Sequence, residues 1–238
     1  MSLAELQDPN YLGEATDIDV LSRLVDWQGK FVVDAGCANG SLAAALAKRG
    51  ATVLGIEPDP VQATANRKAE AVPNVTLLEA SAEAIPRADN SADVVVFSKS
   101  LHHVPAAVMD TALREAARVV KRDGGLLLVL EPDIRGEFSQ LVKPFHDETV
   151  VRGQALAALD RTARPLFRQM DEYWYMTLAR FPDFDAFVTR MASATYNALN
   201  RQKIATPSIR FAFEKGKRDA EYIFTNLMRA RLYSGVKS

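Results

Sequence analysis

Five short apolar runs recur through the first 130 residues: Phe31–Val33, Val53–Ile56, Val75–Leu78, Val94–Phe97 and Leu126–Leu130. Each is continuous rather than alternating, and rich in Val, Ile or Leu, the pattern of a strand covered by helices on both faces. The segments between them follow a helical period. Leu42–Arg49 stops at Gly50, Pro60–Ala71 opens on a proline, and Pro105–Arg122 repeats Met109, Leu113, Ala116 and Val120 before Gly124 and Gly125 end it. An amphipathic helix around Asp17–Asp26 precedes the first strand. Strand and helix in alternation predict an α/β fold: a doubly wound, mainly parallel sheet with right-handed crossovers and a ligand crevice at the carboxyl ends of its strands.

The chain changes character near residue 136. Nine of its twelve glycines lie up to that point, whereas fifteen of its nineteen aromatic residues follow it. Phe138–Arg168 reads as helical, with Leu156, Leu159 and Ala163 on one face. Asp171–Phe181 reads as a strand, a helix runs from Asp183, a good cap, to about Leu199, and Glu221–Tyr233 is the last strand. No Pro/Gly/Ser-rich linker and no internal repeat divides the chain. Residues 1–136 are therefore read as the ligand-binding half of one domain, and 137–238 as a lid plus the last two strands that complete it.

Composition narrows the partners. Lys and Arg number 29 against 30 Asp and Glu, so the formal charge is −1, and no field exists to collect nucleic acid. Wholly apolar runs such as Leu126–Leu130 reach no more than six residues, far short of the ~20 residues of a membrane span, so no membrane insertion is expected. Residues 1–10 carry no Lys or Arg ahead of an apolar stretch, unlike a secretory signal. A single cysteine, Cys37, excludes an intrachain disulfide and a multi-cysteine metal centre, and no metal site is anticipated. The expected location is cytoplasmic.

Candidate chemistry sits at the strand ends. The first strand runs into Asp34-Ala35-Gly36-Cys37-Ala38-Asn39-Gly40, and Ser41 opens a helix whose first amides are free for polar groups. The second strand ends at Glu57, where a carboxylate accepts both hydroxyls of a ribose. A nucleoside-containing ligand follows. Ala38 and Ser41 replace the second and third glycines of the dinucleotide fingerprint, and no phosphate-cradling Gly-x-x-x-x-Gly-Lys-[Ser/Thr] occurs. An acid-x-Gly-Cys-x-x-Gly loop followed by Glu57 instead resembles the cofactor site of class I S-adenosylmethionine-dependent methyltransferases. The resemblance continues through Ala80–Pro86, the strand Ala92–Phe97, the segment Ser98–Val104, and Leu113–Gly125 with the strand ending at Glu131-Pro132. It spans roughly residues 10 to 133 and looks most like the small-molecule branch that includes ubiquinone and menaquinone biosynthesis enzymes.

That resemblance implies a seven-stranded sheet with a helical lid inserted after the fifth strand. S-Adenosylmethionine would be the cofactor and S-adenosylhomocysteine the product. Asp34, Gly36, Cys37 and Gly40 would shape the methionine side of its pocket, with Ser98 approaching through its backbone. Glu57 and Pro58 would hold the ribose, and Ala82 and Glu83 the adenine. Two positions depart from the family: Ala38 stands for a glycine, a mild change if its backbone is not restricted to glycine, and Ser81 stands for an acid, for which Glu83 offers a substitute. Methyl transfer from a sulfonium needs alignment and, for protic acceptors, removal of a proton. His102 and His103 are the candidate bases, against a packing or substrate-contact role. Lys99, Tyr11, His146, Tyr173 and Trp174 are candidate contacts to a small-molecule acceptor, and Cys37 reads as a small buried residue rather than a nucleophile. An NAD(P)-dependent oxidoreductase and a non-catalytic S-adenosylmethionine-binding regulator remain as alternatives, with a monomer or homodimer as the assembly.

Overall fold

In the computed structural model, which describes residues 8–193 and 200–237, nine strands form one sheet. The strands are β1 (Tyr11–Glu14), β2 (Phe31–Ala35), β3 (Thr52–Glu57), β4 (Val75–Glu79), β5 (Val94–Ser98), β6 (Leu126–Pro132), β7 (Phe167–Phe181), β8 (Lys217–Arg218) and β9 (Glu221–Val236). Their spatial order is β1-β7-β9-β6-β5-β2-β3-β4, with the short β8 beside β9. The block β6-β5-β2-β3-β4 is parallel throughout. β9 enters antiparallel between β6 and β7. The seven strands anticipated are present. The two extra are β1, a short strip pairing parallel with β7 (Tyr11↔Trp174), and β8, both too brief to leave a period in the sequence.

Helices α1 (Asp17–Leu24), α2 (Ser41–Ala47), α3 (Pro60–Lys68) and α4 (Ala106–Val119) connect the parallel strands. α1 starts at a capping box, in which the Thr16 hydroxyl takes the Asp19 amide while the Asp19 carboxylate takes the Thr16 amide. That arrangement satisfies two otherwise orphaned donors and contributes ~1 kcal/mol. α4 stops before Val120, which turns extended and bridges to Ala92. Its face Met109, Leu113 and Ala116 is buried on Val95, Phe97, Leu127 and Val129. The opposite face of the sheet, Val32, Val94, Val96, Leu128 and Leu130, packs with Val20 and Leu21 of α1 and Leu46 of α2.

The segment expected to be helical from Phe138 to Arg168 is interrupted. α5 (Glu137–Val142) and α6 (Thr149–Ala158) are separated by a turn, and α6 widens into a π-helical turn over Leu159–Ala163. α7 (Phe184–Ala192) starts from the Asp183 cap, as anticipated; its expected extension to Leu199 lies outside the described residues. α8 (Arg201–Ile204) and α9 (Pro207–Glu214) follow. These helices share a third apolar cluster with the far ends of β7 and β9, built on Phe181, Phe184, Phe187, Phe213 and Phe224. Most of the late aromatics are spent here. Among the described residues, no helix is long and apolar enough to cross a membrane.

Candidate active site

The glycine-rich loop between β2 and α2 is held by its backbone. Gly36 and Cys37 both donate their amides to the Ile56 carbonyl at the end of β3 (2.9 and 3.0 Å), and Gly40 closes the turn onto the Cys37 carbonyl (2.9 Å). Gly36 has φ +75°, and a Cβ there would meet Ser100 Cβ at 2.6 Å, so both backbone and neighbour demand glycine. Ala38 departs from the sequence reading: its φ is +47°, in the left-handed region. A methyl here is tolerated at ~1–2 kcal/mol rather than being mild, because Cβ crowds the following carbonyl.

Glu57 is what holds Ala38 in place. The half-buried carboxylate accepts the Ala38 amide at 2.8 Å through one oxygen and the Asp59 amide at 3.0 Å through the other. Asn66 of α3 adds a bond to the Ala38 carbonyl (2.7 Å). A carboxylate offers about four acceptor positions, so two remain for a ligand's hydroxyls. Pro58 is exposed in the turn after Glu57. The Ala80 amide donates to the Glu57 carbonyl (3.2 Å), which brings the Ser81-Ala82-Glu83 turn beside it; Ala82 is buried, Ser81 and Glu83 half-buried.

Asp34 lies beneath this loop, 1% exposed, and its Oδ2 is buried without a hydrogen-bond partner among the described residues. Burial, reinforced by the charge of Glu57, pushes its carboxyl up to about 7. The same burial, with Asp34 and Glu57 adding to it, pushes the Cys37 thiol up to about 12, so no thiolate forms there.

Beyond Ser98, at the end of β5, the chain bends through Lys99 with φ +57°. Lys99 Nζ pairs with Asp17 of α1 at 2.5 Å, and Tyr175 of β7 donates its hydroxyl to the same carboxylate at 2.8 Å. Ser100 donates to the Ala35 carbonyl (2.6 Å), fastening this bend to β2. His102 and His103 follow in a single turn of 3-10 helix, their rings 4.1 Å apart. His102 is buried, with Nδ1 bonded to Glu131 at the end of β6 and Nε2 3.6 Å from Glu148 at the start of α6. Burial disfavours its charge, but the hydrogen bonds to Glu131 and Glu148 and their charges outweigh that and raise it to about 9. His103 reaches solvent, yet desolvation of its ring against the protein and the adjacent His102 charge lower it to about 4. His146, from the break before α6, bonds Glu148 through Nε2 (2.9 Å). All three histidines of the chain thus converge on Glu148.

A cavity of about 420 Å³ adjoins this cluster, under α6 and over the β6–β9 face. Val129, Ile134, Leu156 and Leu159 give it apolar walls; Glu131, Asp133, Arg135, Arg152, Arg229 and Arg231 give it charge. Arg229 and Arg135 stack on Trp174 at 4.4 and 5.2 Å from the ring centroid. Trp174 therefore reaches the cavity only through these arginines. Tyr173 packs with the core beneath α1, and Tyr11 lies in β1 at the sheet margin. Neither histidine candidate lines the cavity; Glu131, bonded to His102, does. Glu131, Glu148, Arg152, Arg229 and Arg231 were not singled out from sequence. Glu131 closes a strand as a motif residue, but the other four carry no local signature.

Residues 33–128, from β2 into β6, match the family described as a methyltransferase domain. This stretch resembles the class I S-adenosylmethionine-dependent methyltransferases. Among curated relatives, the ubiquinone/menaquinone biosynthesis C-methyltransferase UbiE of Rhizobium rhizogenes is 32% identical over 154 residues, 63% of this chain and 56% of that protein. An uncharacterized methyltransferase of Mycobacteroides abscessus is 36% identical over 117 residues, 48% of this chain and 44% of its own. The chain thus spans about half the length of the curated relatives it matches. Of solved structures, the YcgJ protein of Bacillus subtilis has the same fold, with a TM-score of 0.63, 17% identity, and coverage of 92% of this chain and 98% of that one. The residues present fit S-adenosylmethionine, the cofactor that the resemblance implies. The partnerless Asp34 oxygen suits an ammonium, and Glu57 retains acceptor capacity for a ribose.

Proposed function

We propose that this protein is a methyltransferase that transfers the S-adenosylmethionine methyl group to a small-molecule acceptor seated in the cavity beneath α6. The observation that carries this reading is where that cavity opens. Its wall includes Glu131–Arg135 at the carboxyl end of β6, and β6 pairs with β5 at Ser98↔Leu130, so acceptor and glycine loop share one end of the sheet. The bound cofactor supplies a methyl group already activated on a sulfonium.

The chain's own work is then alignment and exclusion of water, the main sources of acceleration for an in-line displacement. Gly36, Ala38 and Gly40 fix the loop, Glu57 takes the ribose, Asp34 takes the ammonium, and the Ser81–Glu83 turn flanks the adenine. Leu156, Leu159, Ile134 and Val129 accept an apolar or planar skeleton. Glu131 receives the hydrogen bond of a hydroxyl or amine on the acceptor, and His102, with His103 against it, holds that carboxylate in position. Such an acceptor is drawn from the cytoplasm.

Gly153 provides the test. It lines the cavity, and a Cβ added there meets nothing within 4 Å, so Gly153→Phe extends into the acceptor's space. Calorimetric titration should give micromolar S-adenosylhomocysteine binding to both wild type and variant, with NADH inert. Labelled-methyl transfer to a panel of phenols, quinols and amines should occur with wild type and be lost in Gly153→Phe. Binding of NADH alone would sink the cofactor assignment. Transfer undiminished in Gly153→Phe would place the acceptor elsewhere, and binding without transfer to any acceptor would leave a regulator in place of an enzyme.

A further inference from the structure

We propose that His102, His103 and Glu148 form a binding site for one divalent transition-metal ion that staples α6 to the turn after β5. One donor atom from each side chain lies within 4.8 Å of the others. His102 Nε2 and Glu148 Oε1 are 3.6 Å apart. In a tetrahedral site with bonds of ~2.0–2.2 Å, neighbouring donors stand roughly 3.3–3.5 Å from one another. The His102–Glu148 edge is therefore close to formed, and the remaining approach falls to His103, one ring nitrogen of which already lies within 4.8 Å of the other two donors.

The surroundings are those of a ligand set rather than of a packed core. His102 presents Nε2 because its Nδ1 is fixed by Glu131, the carboxylate–histidine pairing that orients imidazole ligands. Glu148 is itself held, by His146 Nε2 at 2.9 Å and by Arg152 at 2.5 Å on its other oxygen. Two imidazoles and one carboxylate select zinc, cobalt, nickel or iron(II) over magnesium or calcium, which take oxygen donors. Arg152 opposes a cation, whereas Glu131 and Glu148 together favour one. Three protein ligands leave a coordination position open, and Glu131 and Arg152 both extend from this cluster into the cavity wall. The His pair and Glu148 sit on segments that meet only through packing, so a shared ion fixes the roof of the cavity over its floor.

This site is independent of the acceptor's identity, and it is tested without turnover. Untagged full-length chain, stripped with a chelator, is titrated with Co²⁺ and followed by its visible d–d absorption, then with Zn²⁺ in competition and in thermal unfolding. One equivalent should bind with no thiolate-to-cobalt band, Zn²⁺ should displace it, and the unfolding midpoint should rise with Zn²⁺. His103→Ala, at the surface, and Glu148→Gln should each weaken binding at least tenfold, and Glu131→Gln about tenfold at unchanged stoichiometry. No saturable uptake, a sulfur charge-transfer band from Cys37, or uptake that survives His103→Ala would overturn the proposal.

Discussion

Replacing Glu57 by Ala removes a side chain that serves the fold and the ligand at once, and the two losses are separable. In the free protein it accepts the Ala38 and Asp59 amides at 2.8 and 3.0 Å. A hydrogen bond to a charged group contributes ~1.5–3 kcal/mol, but the site is only half-buried and water reaches the freed amides, so a combined loss of about 2 kcal/mol in folding stability is expected. Ala38, no longer held at φ +47°, then relaxes toward the right-handed region that it prefers by ~1–2 kcal/mol. Binding must restore that conformation as well as forgo the bonds to the ribose. Loss of the ribose bonds alone, ~1.5–3 kcal/mol, weakens S-adenosylhomocysteine roughly tenfold to a hundredfold, and restoring the loop adds up to about another tenfold. Urea denaturation reads the first quantity and isothermal titration the second. Affinity within twofold of wild type would refute the ribose assignment, and an unchanged urea midpoint would refute the loop-holding role.

Three further outcomes follow from particular side chains. Ala38→Gly relieves the left-handed strain while adding unfolded-state entropy, so a net gain of about 0.5–1 kcal/mol in urea is expected; a loss would show that the Ala38 methyl contributes packing. The folded Asp34 carboxyl, pushed up to about 7, keeps its proton where the unfolded chain has lost its own. Wild-type stability relative to Asp34→Asn should therefore fall as pH rises from about 4 to about 7, by up to roughly 4 kcal/mol, and stay flat above. S-Adenosylhomocysteine binding near pH 6 should also release a proton, visible as an enthalpy that varies with the buffer; parallel pH profiles for wild type and Asp34→Asn would refute the burial argument. Phe187, fully buried among Phe181, Phe184 and Phe213, should cost ~3–5 kcal/mol when cut to Ala, measured by thermal or urea unfolding, and a cost under about 1 kcal/mol would mean the cluster collapses around the gap.

The parallel half of the sheet was legible because strands buried on both faces write continuous apolar runs, and because Gly36, Gly40 and Glu57 occupy turn positions that few residue types fill. The left-handed Ala38 was not, since nothing local distinguishes it from an alanine at an ordinary turn. Lys99 read as a candidate contact to the acceptor; its partner Asp17 lies in α1, across the fold. The cluster around Glu148 joins residues 102, 131, 146 and 148 through tertiary packing that no spacing encodes, and the break between α5 and α6 that presents His146 and Glu148 is marked in the sequence only by Pro144, which the helical reading of Phe138–Arg168 ran through. Tyr173, Trp174 and Tyr175 divide between opposite faces of one strand, which is why a single assignment for the group, core or pocket, describes only part of it.

β9 runs antiparallel between β6 and β7, so within the sheet β1 and β7 pair with the parallel block only through this one strand. Its pairing with β6 links residues near 130 to residues near 230, a closure over roughly 100 residues that must precede completion of the sheet. Folding is thus expected to hinge on a late, slow docking step, with the parallel block collapsing first around its local β-α-β contacts. Until β9 docks, β6 and β7 both present unpaired edges, and that interval is when the molecule is most open to joining its neighbours edge to edge. Slowed refolding and aggregation, more than lost catalysis, are the defects to look for when β9 carries a proline or a misplaced charge.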